Sequence, residues 1–203
     1  NEIRGLIRNF GYHLGKVTAR EFESRVRELL SESDLHVIAD PLLNARRVLR
    51  EEFGRLDNLL VRLARDDALS RRLMTVPGVG PVVALTFRAT VDVPARFTRS
   101  RDVGAHFGLT PRKYQSGEVD RTGRISKWGD AMMRSALYEA AQVLLTRVKR
   151  WSALKAWAAH VSRRRGHKKA IVALARRIGV VLHRMWVDGT EFDWGTPPAA
   201  ATA

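Results

Sequence analysis

Cysteine is absent from this 203-residue chain, which removes disulfides and thiolate zinc sites together. Histidine is sparse, at six residues, and none forms an HxxxH pair, so a histidine zinc site has no basis either. No apolar run reaches 18 residues, so no helix is expected to span a membrane, and no signal peptide is expected. Carboxylates are the remaining deficit: 21 Asp and Glu stand against 36 Lys and Arg, for a formal net charge of +15 and a pI of about 11.3. That excess favours a polyanionic partner, whether DNA, RNA or an anionic membrane. Hydrophobic residues make up 45% of the chain, enough for a core and against wholesale disorder. The length suits one or two domains. The chain opens inside a helical pattern (Ile3, Leu6, Ile7, Phe10) and without methionine, so an upstream part is expected.

The positive charge is concentrated. From Arg112 to Arg184 there are 18 Lys and Arg against four carboxylates (Glu118, Asp120, Asp130, Glu139), a net of +14. The polyanion belongs with the C-terminal half, because the first part is nearly neutral.

The spacing of apolar residues predicts a mostly α protein. Residues 1–66 read as a helical connector, 67–190 as an α domain containing a helix-hairpin-helix and a serine-bearing loop, and 191–203 as a flexible tail. Thr18 with Glu21 is a capping-box pair for a helix near 19–31. A polar link follows and ends at Pro41. Leu42, Leu49, Leu56 and Leu63 then recur every seven residues, with Phe53 and Leu60 between them and Arg46 interrupting. This is either a coiled-coil seam or an amphipathic helix packed on its own domain. Helices are expected near 67–91 on both sides of a glycine hairpin, at 100–108, 130–149, 151–161 and 167–187. Residues 110–127 lack helical periodicity and suit a small irregular loop or β-hairpin around Ser116 and Gly117. The buried face of the 130–149 helix should include Met132 and Met133.

Two segments carry chemistry. In Val76-Pro77-Gly78-Val79-Gly80-Pro81, Gly78 and Gly80 would let the backbone turn and present N–H groups to a phosphate at a helix start. An ordinary glycine turn between helices explains the same letters. In the second segment Ser116 sits beside Gly117, with Arg112, Lys113, Arg121, Arg124, Lys127 and Arg134 around it. Guanidinium forks match phosphate oxygens and stay charged, and a hydroxyl among them can attack or contact a phosphodiester. A serine beside glycine is also a common turn pair. Tyr114 and Ser126 are rival nucleophiles. Asp92, Asp102, Glu118, Asp120 and Asp130 are dispersed, so no metal site is expected within this chain. Arg163, Arg164, Arg165, Lys168 and Lys169 form a basic link, a candidate RNA or DNA contact or a solvated connection. Most tryptophans suit helix cores; Trp128, between Lys127 and Gly129, could instead lie against a base or sugar.

Taken together, PGVGP at 77–81, FGLTPR at 107–112, Ser116-Gly117, Gly123, Ile125-x-Lys127-x-Gly129 and Arg134 resemble the C-terminal transposase domain of the DEDD-type bacterial insertion-sequence transposases, which include the Piv-type and bridge-RNA-guided recombinases. The resemblance covers about residues 70–150, and several motifs in one order make it specific. It implies a DNA recombinase whose RuvC-like domain, upstream of Asn1, binds Mg²⁺ through four carboxylates. Ser116 matches the serine that becomes covalently linked to DNA. It also implies a homo-oligomer (dimer or tetramer), a guide (bridge) RNA, DNA as partner and a bacterial cytoplasmic location at the nucleoid. This fragment alone would be inactive. The competing classes are a non-catalytic helix-hairpin-helix nucleic-acid-binding module and a ribosomal or RNA scaffold protein.

Overall fold

The computed structural model describes residues 2–195. Among them the backbone forms nine α-helices, two short 3-10 turns and one antiparallel strand pair, in line with the mostly α class expected. Two compact units divide between Leu59 and Leu60, inside a helix rather than after residue 66.

The first unit contains α1 (Glu2–Asn9), α2 (Phe22–Leu29) and the start of α3 (His36–Asp66). Ile3 and Ile7 lie one turn apart on α1 and bury against Val26, Leu30, Ala39 and Leu43. The paired bonds of the box form, with Thr18 Oγ1 accepting from the Glu21 N–H at 3.3 Å and Glu21 Oε2 from the Thr18 N–H at 3.4 Å, but the helix begins only at Phe22, with Glu21 at its N-cap position. The polar link expected over 31–41 is shorter than its composition suggests. The carbonyls of Ser33, Asp34 and Leu35 already accept from His36, Val37 and Ile38, so helical turns begin there and Pro41 lies inside α3. Proline's fixed φ is helical and its missing N–H costs one bond near the helix start. Arg46, the charge that interrupts the heptads, serves this unit: its guanidinium lies 4.6 Å over Phe22 and donates to the Ala19 carbonyl at 3.2 Å. On the seam itself Leu49, Phe53, Leu56 and Leu63 are all exposed, Phe53 by 77%.

The second unit holds the end of α3, then α4 (Ala68–Leu73) and α5 (Pro81–Val91), followed by 3-10 turns at Pro94–Arg96 and Ser100–Asp102 and by α6 (Val103–His106). After the strand pair come α7 (Ala131–Thr146), α8 (Ala153–Arg165) and α9 (His167–Asp188). Side chains start three of these helices by taking up orphan N–H groups. Asp67 accepts from the Ser70 N–H at 2.7 Å, Asp130 from Met133 at 2.6 Å and Ser152 from Lys155 at 3.2 Å. Helix α9 is the centre of the unit: Ile171, Leu174, Ile178 and Leu182 recur every three or four residues and are buried. Gly179 omits a side chain where Leu137 and Phe107 approach the backbone. Phe87 meets Phe107 edge-on at 5.7 Å.

His183 is a buried pin that the sequence reading missed. Its Nε2–H donates to the Pro94 carbonyl at 3.0 Å, Nδ1 pairs with Ser100 Oγ at 3.0 Å, and the ring meets Phe97 edge-on. A carbonyl can only accept, which sets the ring's proton on Nε2. The pin ties the connection before α6 to α9.

Three expectations need correction. Met132 is 63% exposed, because Met133, 100° further round the helix, takes the core position. The basic stretch 163–169 is no loop: α8 runs to Arg165, α9 starts at His167, and Gly166 alone breaks them with φ 86. Residues Glu191–Gly195, expected within a flexible tail, are tied to the body. The Phe192 N–H donates to Thr75 Oγ1 at 3.0 Å, the Trp194 carbonyl accepts from Ala153 at 3.2 Å, and Arg150 lies 4.0 Å over the Trp194 ring. The rest of that expected tail, 196–203, lies outside the described residues.

Candidate nucleic-acid interface

Strands β1 (Pro111–Ser116) and β2 (Val119–Ile125) pair antiparallel, with Ser116 opposite Val119 and Tyr114 opposite Arg121. The two-residue turn Gly117-Glu118 has φ 55 at glycine, the sign pattern of a tight hairpin turn with glycine first. Side chains alternate, so Ser116, Tyr114 and Arg121 share one face. Arg121 stands diagonally across from Ser116, a separation that a long side chain spans. A bulge follows, in which Gly123 and Arg124 oppose Arg112 alone. A Cβ on Gly123 would meet the edge of the exposed Tyr114 ring. All of β1, and β2 as far as Arg124, is exposed. Ser116 therefore stands at an open tip, and among the described residues no group is hydrogen-bonded to its hydroxyl.

The root of this hairpin is a backbone clasp. Gly108 (φ 67) and Gly129 (φ 95) pass so closely that a Cβ on either would collide with the other segment's backbone. The Lys127 N–H donates to the Gly108 carbonyl at 3.0 Å and the Ser126 N–H to the Thr110 carbonyl at 2.9 Å. Lys127 itself is held at φ 59, a conformation that costs a non-glycine residue about 1–2 kcal/mol. Two of the six expected phosphate-binding cations lock the clasp. Arg112 donates to the Ser126 carbonyl at 3.1 Å, and Arg134 to the Phe107 carbonyl at 3.2 Å. Lys113, Arg121, Arg124 and Lys127 have no carboxylate within 4.0 Å among the described residues. Ser126 is half-buried at the root. Tyr114 is 57% exposed and Trp128 73% exposed.

The glycine hairpin divides into two roles. Val76 and Val79 bury into the core. Gly78 (φ 91) lies against α7, where a Cβ would come within 3.0 Å of the Ala140 carbonyl oxygen. Its lack of a side chain is thus a packing requirement. Gly80 starts α5 with extended backbone, and no atom lies within 4 Å of where its Cβ would be. Behind the motif, burial pushes the Asp67 carboxyl up, but its bonds from Ser70 and the Arg88 guanidinium at 2.7 Å outweigh this and hold it below the usual carboxylate range.

At the α8–α9 junction Arg163, Arg164, Arg165, Lys168 and Lys169 are all exposed. The last two lie in the first turn of α9, which has no acidic residue. Cations there oppose the helix dipole, so an external anion would relieve them. The sequence reading gave no role to Arg176 or Arg177 and placed Trp157 with the helix cores, yet all three line one cleft with Lys169 beside the hairpin root. Their spacing on α9, together with Val172, Ala173 and Val180, would have marked a single face. Among the described residues no three His, Asp or Glu side chains come together to hold a metal, and no helix is long and apolar enough to cross a membrane.

The chain is 31% identical over 95% of its length to "Putative transposase y4pF/y4sB" of Sinorhizobium fredii, covering 51% of that protein. It is 33% identical over 87% of its length to "Transposase for insertion sequence element IS1111A" of Coxiella burnetii, covering 50% of it. It is 29% identical to "Probable family 20 transposase" of Pseudomonas aeruginosa, over 90% of this chain and 56% of that one. The chain thus spans about half the length of the curated relatives it matches. Residues 70–162, which hold the glycine hairpin, the clasp, the serine hairpin and most of α8, match the transposase IS116/IS110/IS902 family, and the chain carries a transposase domain of that family.

Proposed function

We propose that this chain is the DNA-handling part of a transposase that cuts and rejoins DNA through a phosphoserine at Ser116. The observation that carries the reading is the hairpin: a backbone clasp holds its root and Ser116 stands at its exposed tip, with Arg121 diagonal to it on the same face, while Lys113, Arg124 and Lys127, free of carboxylate partners among the described residues, lie further toward the root. Ser116 Oγ would attack the phosphorus of a scissile phosphodiester. One O–P bond forms as the bond to one strand end breaks, and the serine proton ends on the departing oxygen. A second strand's hydroxyl then attacks the phosphoserine, remakes a phosphodiester and returns the proton to Ser116. Ester is exchanged for ester, so the bond energy of the cut strand is kept. Arg121 would stabilise the charge that builds on the phosphoryl oxygens.

The Mg²⁺ implied by the resemblance does not fit the described residues, and we assign its carboxylates to another part of the complete protein. We assign Gly80 and the α8–α9 cations to phosphate contact with DNA or a guide RNA, and the exposed seam on α3 to a homo-oligomer. A non-catalytic nucleic-acid-binding module is the second reading; the lack of any proton-accepting side chain bonded to Ser116 among the described residues favours it.

The test uses a transposase of the relatives' length that carries this chain, mixed with nicked DNA, guide RNA and Mg²⁺. A trapped protein–DNA adduct is expected to map to Ser116 and to vanish in Ser116→Ala with DNA binding nearly intact. Ser126→Ala and Tyr114→Phe should retain it. An adduct that persists in Ser116→Ala, or maps to Tyr114 or Ser126, overturns the assignment.

A further inference from the structure

Beside the root of the serine hairpin lies an open cleft of about 410 Å³. Its apolar surface comes from Leu109 and Ile125 at the hairpin root and from Val172, Ala173 and Val180 on α9. Trp157 of α8 forms the end wall, and the Arg177 guanidinium lies 4.4 Å above its ring. Lys169 and Arg176 complete the lining, which contains no carboxylate. None of these three cations has an acidic partner within 4.0 Å among the described residues. The stem of Arg176 passes over Gly104, where a Cβ would come within 3.0 Å of it.

These features match one ligand chemistry. An apolar floor with a cation-capped aromatic wall suits a flat π-face. Unpaired cations at the rim suit an anion. A volume near the lower end of the range for small-ligand sites, about 300–1,000 Å³, admits one nucleotide and excludes a duplex. Arg177 is exposed, so the plane of its guanidinium turned away from Trp157 can receive a base. Resting on the reading that the chain binds DNA, we propose that this cleft holds a single unpaired nucleotide of the DNA strand engaged by the hairpin. The base stacks on the Arg177–Trp157 pair, and its phosphate lies between Lys169 and Arg176. Because Ile125 and Pro111 are both hairpin ends and cleft lining, holding one nucleotide there fixes the strand's position relative to Ser116.

The 203-residue chain is titrated with a duplex carrying one unpaired 2-aminopurine nucleotide, with the same duplex fully paired, and with the RNA equivalent of the bulged duplex. The bulged DNA is expected to bind about tenfold tighter than the paired duplex, at the lower end of the effect of one base–aromatic stack, with its fluorescence quenched. Arg177→Gln, which removes the stacking plane, and Ala173→Glu, which fills the floor and adds a negative charge, should each abolish the preference and the quenching, with circular dichroism unchanged. Binding to the paired duplex should fall no more than about threefold with Arg177→Gln, as for one exposed cation. Equal affinity of the wild type for bulged and paired DNA overturns the pocket and leaves DNA binding standing. A preference that survives both variants, or appears only with RNA, also overturns it. No binding to any of the three at low salt overturns the pocket and the DNA-binding reading together.

Discussion

Gly78 and Gly80 stand two residues apart in one motif, and substitution should separate their roles. Alanine at 78 would have to hold φ near 91, at a cost of about 1–2 kcal/mol. Its Cβ would also meet the Ala140 carbonyl, a backbone atom of a buried helix that cannot swing away. Overpacking of that kind adds about 1–3 kcal/mol. Gly78→Ala is therefore expected to lose about 3 kcal/mol, or roughly 6–12 °C in Tm for a domain of this size. Gly80 has φ −102 and open space around it. Aspartate there should cap α5 and complement its dipole, a gain of a few tenths to about 1 kcal/mol. The same carboxylate repels any phosphate seated at this helix start. Losing one charge-assisted contact, about 1.5–3 kcal/mol, should weaken DNA binding at least about tenfold at low salt. If that contact also releases a counterion, the slope of log affinity against log salt should become shallower by about 0.9. Thermal melts and a salt series of anisotropy titrations read both effects. A Gly78→Ala chain with the wild-type Tm refutes the packing argument. A Gly80→Asp chain that is at least as stable as wild type, yet binds DNA with unchanged affinity and slope, refutes phosphate contact at this hairpin.

The clasp makes a similar contrast. Gly129→Ala should cost about 3 kcal/mol or more by backbone collision, whereas Gly117→Ala, strained at φ 55 but with open space, should cost only about 1–2 kcal/mol; equal Tm losses would refute the clasp. Asp67 is held below the usual carboxylate range, so the unfolded chain takes up its proton first as pH falls. The stability this group supplies is complete above that range and is lost as pH drops through it toward the folded value. Asp67→Asn, which keeps a capping oxygen, should have a flatter Tm profile from neutral pH into the acid range, and parallel profiles would count against the ion pair. Leu56→Lys on the exposed seam should lower the oligomeric state in sedimentation, and an unchanged state in a folded variant would remove the seam from assembly.

The elements legible in the sequence were those whose causes are local. The periodic apolar face of α9, the Thr18–Glu21 box and the turn at Gly117 each depend on residues a few positions apart, and each formed. Boundaries erred where local letters mislead: Pro41 reads as a stop but is tolerated within α3, and the charges of 163–169 read as a loop although Arg and Lys are good helix formers. The six cations around Ser116 were visible as a group. Their division was not, because whether Arg112 and Arg134 face a phosphate or a carbonyl depends on where residues 107 and 126 come to lie.

Charge, periodicity and the order of the glycine and serine motifs are properties of the chain itself, and they determined a helical protein whose excess of positive charge favours a polyanionic partner, with Ser116 in a basic segment. Tertiary structure alone decided that Gly78 serves α7, that Gly108 and Gly129 lock the hairpin root, that His183 pins a distant loop, and that Trp157, Arg176 and Arg177 meet in one cleft. Each of these depends on close approach between segments far apart in the chain, and the distances that fix such contacts exist only once the core has packed.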